Sequence, residues 1–244
     1  MELTFLGSSN AFASEGRYWS SFLADRKYQF DAPPTMLPHL KRLGVDLLGI
    51  EVIFLSHHHG DHFMGFPFLM LEYLYMTKRT SGLYIVGPPG VEGWMEDFAS
   101  RCYPELHAKD AGYKRIYVDS RPGEEQRAGS ATFKAVAMNH VTHSMDAMGY
   151  QVKVGNKTVA YTGDTMYCDE IFQLADGADV LVVDCTYSEG SGGPEHMGLD
   201  DVKKVRQRIA PDTTLVLTHL TSRPATNGLA NTLVAEDLKT FRFD

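Results

Sequence analysis

Apolar residues along the chain follow two rhythms. Short runs rich in Val, Ile, Leu, Phe and Tyr, bounded by Gly, Pro, Asn or Asp, predict strands at 3–6, 21–24, 29–31, 52–55, 83–86, 115–118, 132–138, 150–154, 158–161, 180–184 and 215–218. Longer stretches at helical spacing predict helices at 36–43, 65–76, 90–101, 169–174, 199–209 and 230–239. Gly155-Asn156-Lys157 joins two of the strands as a hairpin. Paired hairpins early and late, with helices between them, predict an α/β protein: two sheets face to face with helices outside, a four-layer αββα sandwich. No linker, repeat or low-complexity tract interrupts residues 1–244, so a single domain is expected.

The strand 52–55 runs straight into Ser56-His57-His58-His59-Gly60-Asp61-His62. Side chains alternate along a strand, so His57 and His59 point one way and His58 the other. Gly60 supplies a turn that swings Asp61 and His62 toward a second point. Imidazoles and a carboxylate offered together suit Zn²⁺ or a similar divalent ion, and the spacing suggests two ions. His58 is expected to pack or to support the ligands.

His-x-His-x-Asp-His after a strand resembles the signature of the metallo-β-lactamase superfamily. Three later blocks extend the resemblance in order: His140-Val-Thr-His143, Gly163-Asp164 and His219, each at the end of an apolar run. The resemblance implies a fold of four αββα layers and two metal ions, Zn²⁺ with Mn²⁺ or Fe²⁺ as alternatives. Site one would be His57, His59 and His143, and site two Asp61, His62 and His219. Asp164 would bridge the two. His140 and His143 compete for one place. Ribonuclease Z-like members carry Gly-Tyr six residues after the ligand, and Gly149 stands six after His143, so His143 is preferred and His140 becomes a supporting or pocket residue.

The segments Asp184-Cys-Thr-Tyr187, His196 and Leu217-Thr-His-Leu-Thr-Ser-Arg223 resemble the ribonuclease Z-like branch in particular. That branch places an acidic residue and a histidine at these points, here Asp184 and His196, to orient a phosphate and protonate the leaving oxygen. Asp184 stands where the branch usually has Glu. Asp31, in Phe30-Asp31-Ala-Pro-Pro34, stands where the family has Asp-Cys-Gly, and is a candidate to support a ligand histidine.

Composition narrows the class. Hydrophobic content of 43% and charge of 22% are those of a globular protein. No apolar stretch reaches the ~18–20 residues that span a bilayer, so no membrane partner is expected. Cys102, Cys168 and Cys185 are scattered and odd in number, which suggests reduced thiols in a cytoplasmic protein. None falls at a ligand position.

The expected activity is hydrolysis of a small-molecule, oligonucleotide or nucleotide-type phosphodiester. A metal-bridging hydroxide attacks, Asp61 binds metal and takes its proton, and His196, poised by Asp184, protonates the leaving group. Processing of transfer-RNA 3′ ends is an alternative. Against it stand the net charge of −8 and the 21-residue separation of His143 and Asp164, too short for the arm that grips RNA in true ribonuclease Z. Arg101, Lys109, Lys114, Arg115, Arg121 and Arg127 crowd one stretch, but acids interleave with them and predict a mixed surface. Thioester or lactone hydrolysis and a non-catalytic metal-binding role are further alternatives, and Arg223 is a candidate phosphate clamp. The resemblance also implies a homodimer.

Overall fold

A computed structural model of the chain describes residues 1–140 and 146–244. The strands, in chain order, are β1 (Glu2–Gly7), β2 (Ser21–Ala24), β3 (Tyr28–Phe30), β4 (Val52–Phe54), β5 (Leu83–Gly87), β6 (Arg115–Asp119), β7 (Glu125–Ala128), β8 (Ala131–Met138), β9 (Ala147–Val154), β10 (Lys157–Tyr161), β11 (Val180–Asp184), β12 (Thr214–Thr218), β13 (Thr232–Val234) and β14 (Thr240–Arg242). They form two seven-stranded sheets, ordered β14-β1-β2-β3-β4-β5-β6 and β13-β12-β11-β10-β9-β8-β7.

The helices are α1 (Met36–Arg42), α2 (Gly60–Phe63), α3 (Phe66–Leu71), α4 (Val91–Cys102), α5 (Glu105–Ala108), α6 (Glu170–Ala175) and α7 (Leu199–Arg208). Alternation along the strands sorts the core into layers. Phe22, Phe30, Val52 and Phe54 of the first sheet meet Phe133, Tyr150, Tyr161 and Val182 of the second in the central layer. Their sequence neighbours Leu23, Ile53 and Ile85 face outward under α1, α3 and α4. Leu181, Val183 and Leu217 face outward under α6 and α7. Sheets covered on both faces are why these strands read as continuous apolar runs rather than alternating ones. The four-layer αββα sandwich expected from the sequence is the observed fold.

Two expectations need correction. The segment predicted as a helix over 230–239 holds the three-residue strand β13 and irregular backbone instead, with β13 paired in parallel with β12 through Leu215↔Thr232, Val216↔Leu233 and Leu217↔Val234. The spacing of Leu229 and Leu233 suits a helix, but the open edge of β12 captures the segment, and such pairing is invisible to local pattern. The helix predicted over 65–76 stops being α-helical after Leu71. Glu72–Met76 is a π turn, and it keeps Glu72 and Tyr73 buried, bonded to Lys41 Nζ at 2.6 Å and to the Leu47 carbonyl at 2.6 Å. The edge strands β7 and β14, polar and short, were not anticipated. Among the described residues no helix is long and apolar enough to cross a membrane.

Candidate metal centre

Strand direction decides where the chemistry collects. β4, β10, β11 and β12 run alongside parallel neighbours, and β8 is returned to the same sense by two successive antiparallel pairings through β9. Their C-terminal ends therefore lie at one edge of the sandwich. β4 delivers Ser56–His62, β8 delivers His140, β10 delivers Asp164, β11 delivers Asp184 and β12 delivers His219. Cross-sheet bonds clamp this edge: Met148 N–H donates to the Ser56 carbonyl at 2.8 Å and the Tyr150 hydroxyl to the Leu55 carbonyl at 2.7 Å. Gly163 lies against the metal loop with φ of +61°, and a Cβ there would stand 2.6 Å from Ser56 Cβ. Only glycine permits both that backbone and that approach.

Three groups of donor atoms converge among the described residues: His57–His59–His140–Asp164, Asp61–His62–His219, and Asp164–Asp184–His196–His219, which overlaps both. In the first, His59 Nδ1 is 3.0 Å from His57 Nε2 and 3.3 Å from His140 Nε2. In the second, His62 Nε2 is 3.3 Å from Asp61 Oδ2, and His219 Nε2 is 3.8 Å from the same oxygen. Asp164 Oδ2 lies between these two groups, 3.7 Å from His57 Nε2, 3.9 Å from His140 Nε2, 3.3 Å from His62 Nε2 and 3.2 Å from His219 Nε2. Donors about 2.0–2.1 Å from a tetrahedral ion stand roughly 3.3–3.4 Å from one another. His62 Nε2, His219 Nε2 and Asp164 Oδ1 are buried, and none of them makes a hydrogen bond within the protein. Buried polar atoms without partners cost free energy unless something fills the space between them. The donor set fits two divalent cations.

Three of the rings, His62, His57 and His140, are held from behind. Asp31, fully buried and in the left-handed region at φ 55°, lies 2.8 Å from His62 Nδ1 and accepts bonds from the Ser56 amide at 2.7 Å, the Ser56 hydroxyl at 2.9 Å and the Tyr161 hydroxyl at 2.7 Å. Ser56 Oγ is in turn 3.0 Å from His57 Nδ1. The Glu195 carbonyl, 2.8 Å from His140 Nδ1, turns that ring's Nε2 toward the centre.

Asp184 is 2.8 Å from His196 Nδ1 and also takes the Thr165 and Thr186 amides. The His196 ring, one-fifth exposed, stacks on His219 with centroids 5.0 Å apart and sits beside His140 at 4.9 Å.

The proton balance follows from this packing. Burial opposes charge on Asp164, but His219 and His62 hold its carboxyl well below the usual range. Burial likewise opposes charge on Asp61, and the neighbouring His62 outweighs it, keeping the group ionised. Burial pushes His57 well down, reinforced by His62, and lowers His59. Both rings are thus held neutral, the form that binds metal. Burial opposes charge on His62 as well, but Asp164, Asp61 and Asp31 outweigh it and push the ring well above the usual imidazole range, so an ion bound there would displace its proton. Burial would lower His196, but its bond to Asp184 raises it to about 9.

His57, His59, Asp61, His62, Asp164 and His219 are brought together, and Asp184 meets His196. His143, preferred as the third site-one ligand, lies outside the described residues. The ring that stands with His57 and His59 is His140, buried at 1% exposure. His58 faces away and stacks on Trp94 with centroids 4.9 Å apart, its pKa pushed down to about 4 by burial. Arg223 is surface-exposed and pairs with Glu236 at 3.2 Å. Arg101, Arg115 and Arg121 are paired with Asp97, Glu96 and Glu124, so the basic stretch is a mixed surface. Ser56, Tyr161 and Thr186 escaped the sequence reading. For Ser56 and Thr186 a signal existed, a hydroxyl residue within two positions of a ligand or dyad residue.

The chain resembles ribonuclease Z of Haloferax volcanii, with 26% identity covering 92% of this chain and 86% of that one. Its fold matches the metallo-β-lactamase fold protein YhfI of Bacillus subtilis (TM-score 0.75, 20% identity, 98% of each chain). It also matches a diphosphatase from the PhnP family (TM-score 0.74, 19% identity, 100% of this chain and 98% of that one). Sandwich and paired donor clusters together define a metal-dependent hydrolase of the metallo-β-lactamase class, on its ribonuclease Z-like branch. The family described as Anti-Pycsar protein Apyc1 matches residues 1–232, and the chain belongs to that family.

Proposed function

We propose that the protein is a dinuclear phosphodiesterase acting on a small or nucleotide-type phosphodiester. The observation that carries this reading is the His196–Asp184 pair at 2.8 Å, placed beside the donor clusters with His196 Nδ1 4.0 Å from Asp164 Oδ2. A phosphodiester needs charge relieved on both the attacked group and the leaving oxygen. The clusters serve the first need and His196 the second.

His57, His59 and His140 would hold one ion, Asp61, His62 and His219 the other, and Asp164 would reach both. Imidazole and carboxylate donors at these separations suit Zn²⁺, with Mn²⁺ and Fe²⁺ also compatible. Bound ions supply Lewis-acid polarisation of a phosphoryl oxygen and make water more acidic. Asp61, partly open to solvent at 12%, accepts the proton released when water adds to phosphorus. His196, held as the imidazolium by Asp184 at Nδ1, gives its Nε2 proton to the leaving alkoxide as the ester P–O bond breaks; the ring is left neutral and regains a proton from solvent after product leaves.

Two observations favour this reading over transfer-RNA processing. β9 and β10 meet in a two-residue turn at Gly155–Asn156, so the chain before Asp164 is spent on a tight hairpin rather than an RNA-gripping arm. The net charge is −8, and in the basic stretch Arg101, Arg115 and Arg121 are each paired with an acid.

The test is turnover of bis(p-nitrophenyl) phosphate by protein of assayed metal content, beside Asp164→Asn. Activity that rises with two bound metals and collapses in the variant is expected. Two bound metals without turnover would overturn the phosphodiesterase reading in favour of a carbonyl substrate such as a thioester or lactone.

A further inference from the structure

The donor clusters are supported by two buried carboxylates that use the same device. Asp31 meets His62 directly at 2.8 Å and His57 through a hydroxyl: Ser56 Oγ donates to Asp31 Oδ2 at 2.9 Å and lies 3.0 Å from His57 Nδ1. On the opposite wall Asp184 meets His196 directly at 2.8 Å. Thr186 Oγ1 donates to Asp184 Oδ1 at 2.8 Å and lies 2.8 Å from His219 Nδ1. The direct distance from His219 Nδ1 to Asp184 is 4.0 Å, too long for a hydrogen bond. Without the hydroxyl, His219 Nδ1 would face the carboxylate across a gap.

A hydroxyl has one proton to give. The Thr186 proton goes to a carboxylate that can only accept, which leaves the oxygen lone pair for an Nδ1–H from His219. That places a proton on Nδ1 of His219 and leaves Nε2, a buried atom with no hydrogen-bond partner in the protein, facing the donor clusters. The ring also needs this restraint for a backbone reason. His219 sits in the left-handed region at φ 61°, a conformation that costs a non-glycine residue roughly 1–2 kcal/mol and persists only where surrounding contacts enforce it. Thr186 itself is buried, and its amide is fixed on the same Asp184 oxygen at 2.9 Å, so the hydroxyl is held rigidly.

We infer that Thr186 is a positioning residue: its hydroxyl relays Asp184 to His219, so that one carboxylate orients both the proton-donating ring of His196 and a ligand ring of the second metal site. The inference rests on the assignment of His219 as a ligand. Asp184, shorter than glutamate, ends far enough from His219 for one hydroxyl to fit between them.

The experiment is titration of metal-stripped protein with Zn²⁺ against a chromophoric chelator, for wild type, Thr186→Val, Thr186→Ser and His219→Ala. Valine keeps the shape and removes the hydroxyl; serine keeps the hydroxyl. Thr186→Val is expected to bind one Zn²⁺ as wild type does and the second about 10–100-fold more weakly. Thr186→Ser is expected to restore most of the loss, which a packing role would not allow, since serine lacks the methyl. His219→Ala is expected to bind a single ion.

Wild-type binding of both ions by Thr186→Val, with one lost in His219→Ala, would overturn the relay alone. Retention of both ions by His219→Ala would overturn the ligand assignment beneath it. A reading independent of variant folding comes from ¹⁵N correlation spectra of the wild-type imidazoles. His219 is expected as the Nδ1–H tautomer with slow solvent exchange, and an Nε2–H form or rapid exchange would overturn the relay.

Discussion

His62 Nδ1 lies 2.8 Å from the Oδ2 of Asp31, which comes from the end of β3, not from the histidine motif at all. The two residues are 31 positions apart, and both are fully buried. Asp31 also binds the Ser56 amide and hydroxyl and the Tyr161 hydroxyl, so a single carboxylate sets the loop backbone, two ligand rings and the contact between sheets.

Asp31→Asn separates charge from shape. Asn tolerates the left-handed backbone of this position, so the fold should persist. The amide cannot accept all four bonds. Affinity for metal is expected to fall about 10–100-fold, read by chelator competition, with a stability loss of about 1–3 kcal/mol from donors left short of an acceptor. Unchanged metal affinity would show that Asp31 only supports the fold.

Gly163→Ala tests the close approach of β10 to the metal loop. The added methyl would meet Ser56 Cβ at 2.6 Å in a backbone of φ +61°. The two penalties together amount to about 2–5 kcal/mol. The next residue is Asp164, so metal content should drop along with the denaturation midpoint. A variant as stable and as metal-loaded as wild type would mean that the loop yields freely.

How much of this was legible in the sequence depends on the range of the interaction. His57, His59, Asp61 and His62 are local, set by strand alternation and one turn, and were readable directly. Asp164 and His219 were placed by order along the chain, because parallel strands put their C-terminal ends together. The helix expected over 230–239 was misread because the edge of β12, not local spacing, decides that segment. Spacing to Gly149 pointed to His143. His143 lies outside the described residues; beside His57 stands His140, whose Nδ1 meets the carbonyl of Glu195, 55 residues away, a contact no local pattern reveals. Asp184 and His196 were legible by resemblance; the hydroxyls of Ser56 and Thr186 that complete the supports were not.

His196→Ala should leave two metals bound and change selectivity among substrates. Diesters with alkoxide leaving groups need the proton, whereas p-nitrophenolate leaves without it. Alkyl diesters are expected to slow by about 10²–10⁴-fold, and bis(p-nitrophenyl) phosphate by far less. Equal slowing of both would remove His196 from proton donation and leave it a binding residue.

Glu96 of α4 provides a test of stability far from the metal centre. Its carboxylate takes Arg115 Nε at 2.5 Å and Nη2 at 3.0 Å, also accepts from the Tyr117 hydroxyl, and lies 3.1 Å from His107 Nε2. Burial works to raise its pKa, but the bonds from Arg115 and Tyr117 outweigh it and lower the group below its ordinary 4.5. A carboxyl depressed on folding stabilises the native state above its unfolded pKa, and that contribution is lost as pH falls through the folded value. Glu96→Gln should therefore cost about 1.5–3 kcal/mol at neutral pH, the range for hydrogen bonds to a charged group. The gap to wild type should stay constant down to about pH 4.5 and close below it, because the wild type then loses the same ionised partner. Urea midpoints of both proteins, measured without metal from pH 7 to 3 so that ligand protonation affects each equally, give the comparison. A gap that does not shrink in acid would show that Arg115 and Tyr117 are held by the shape of the group and not by its charge.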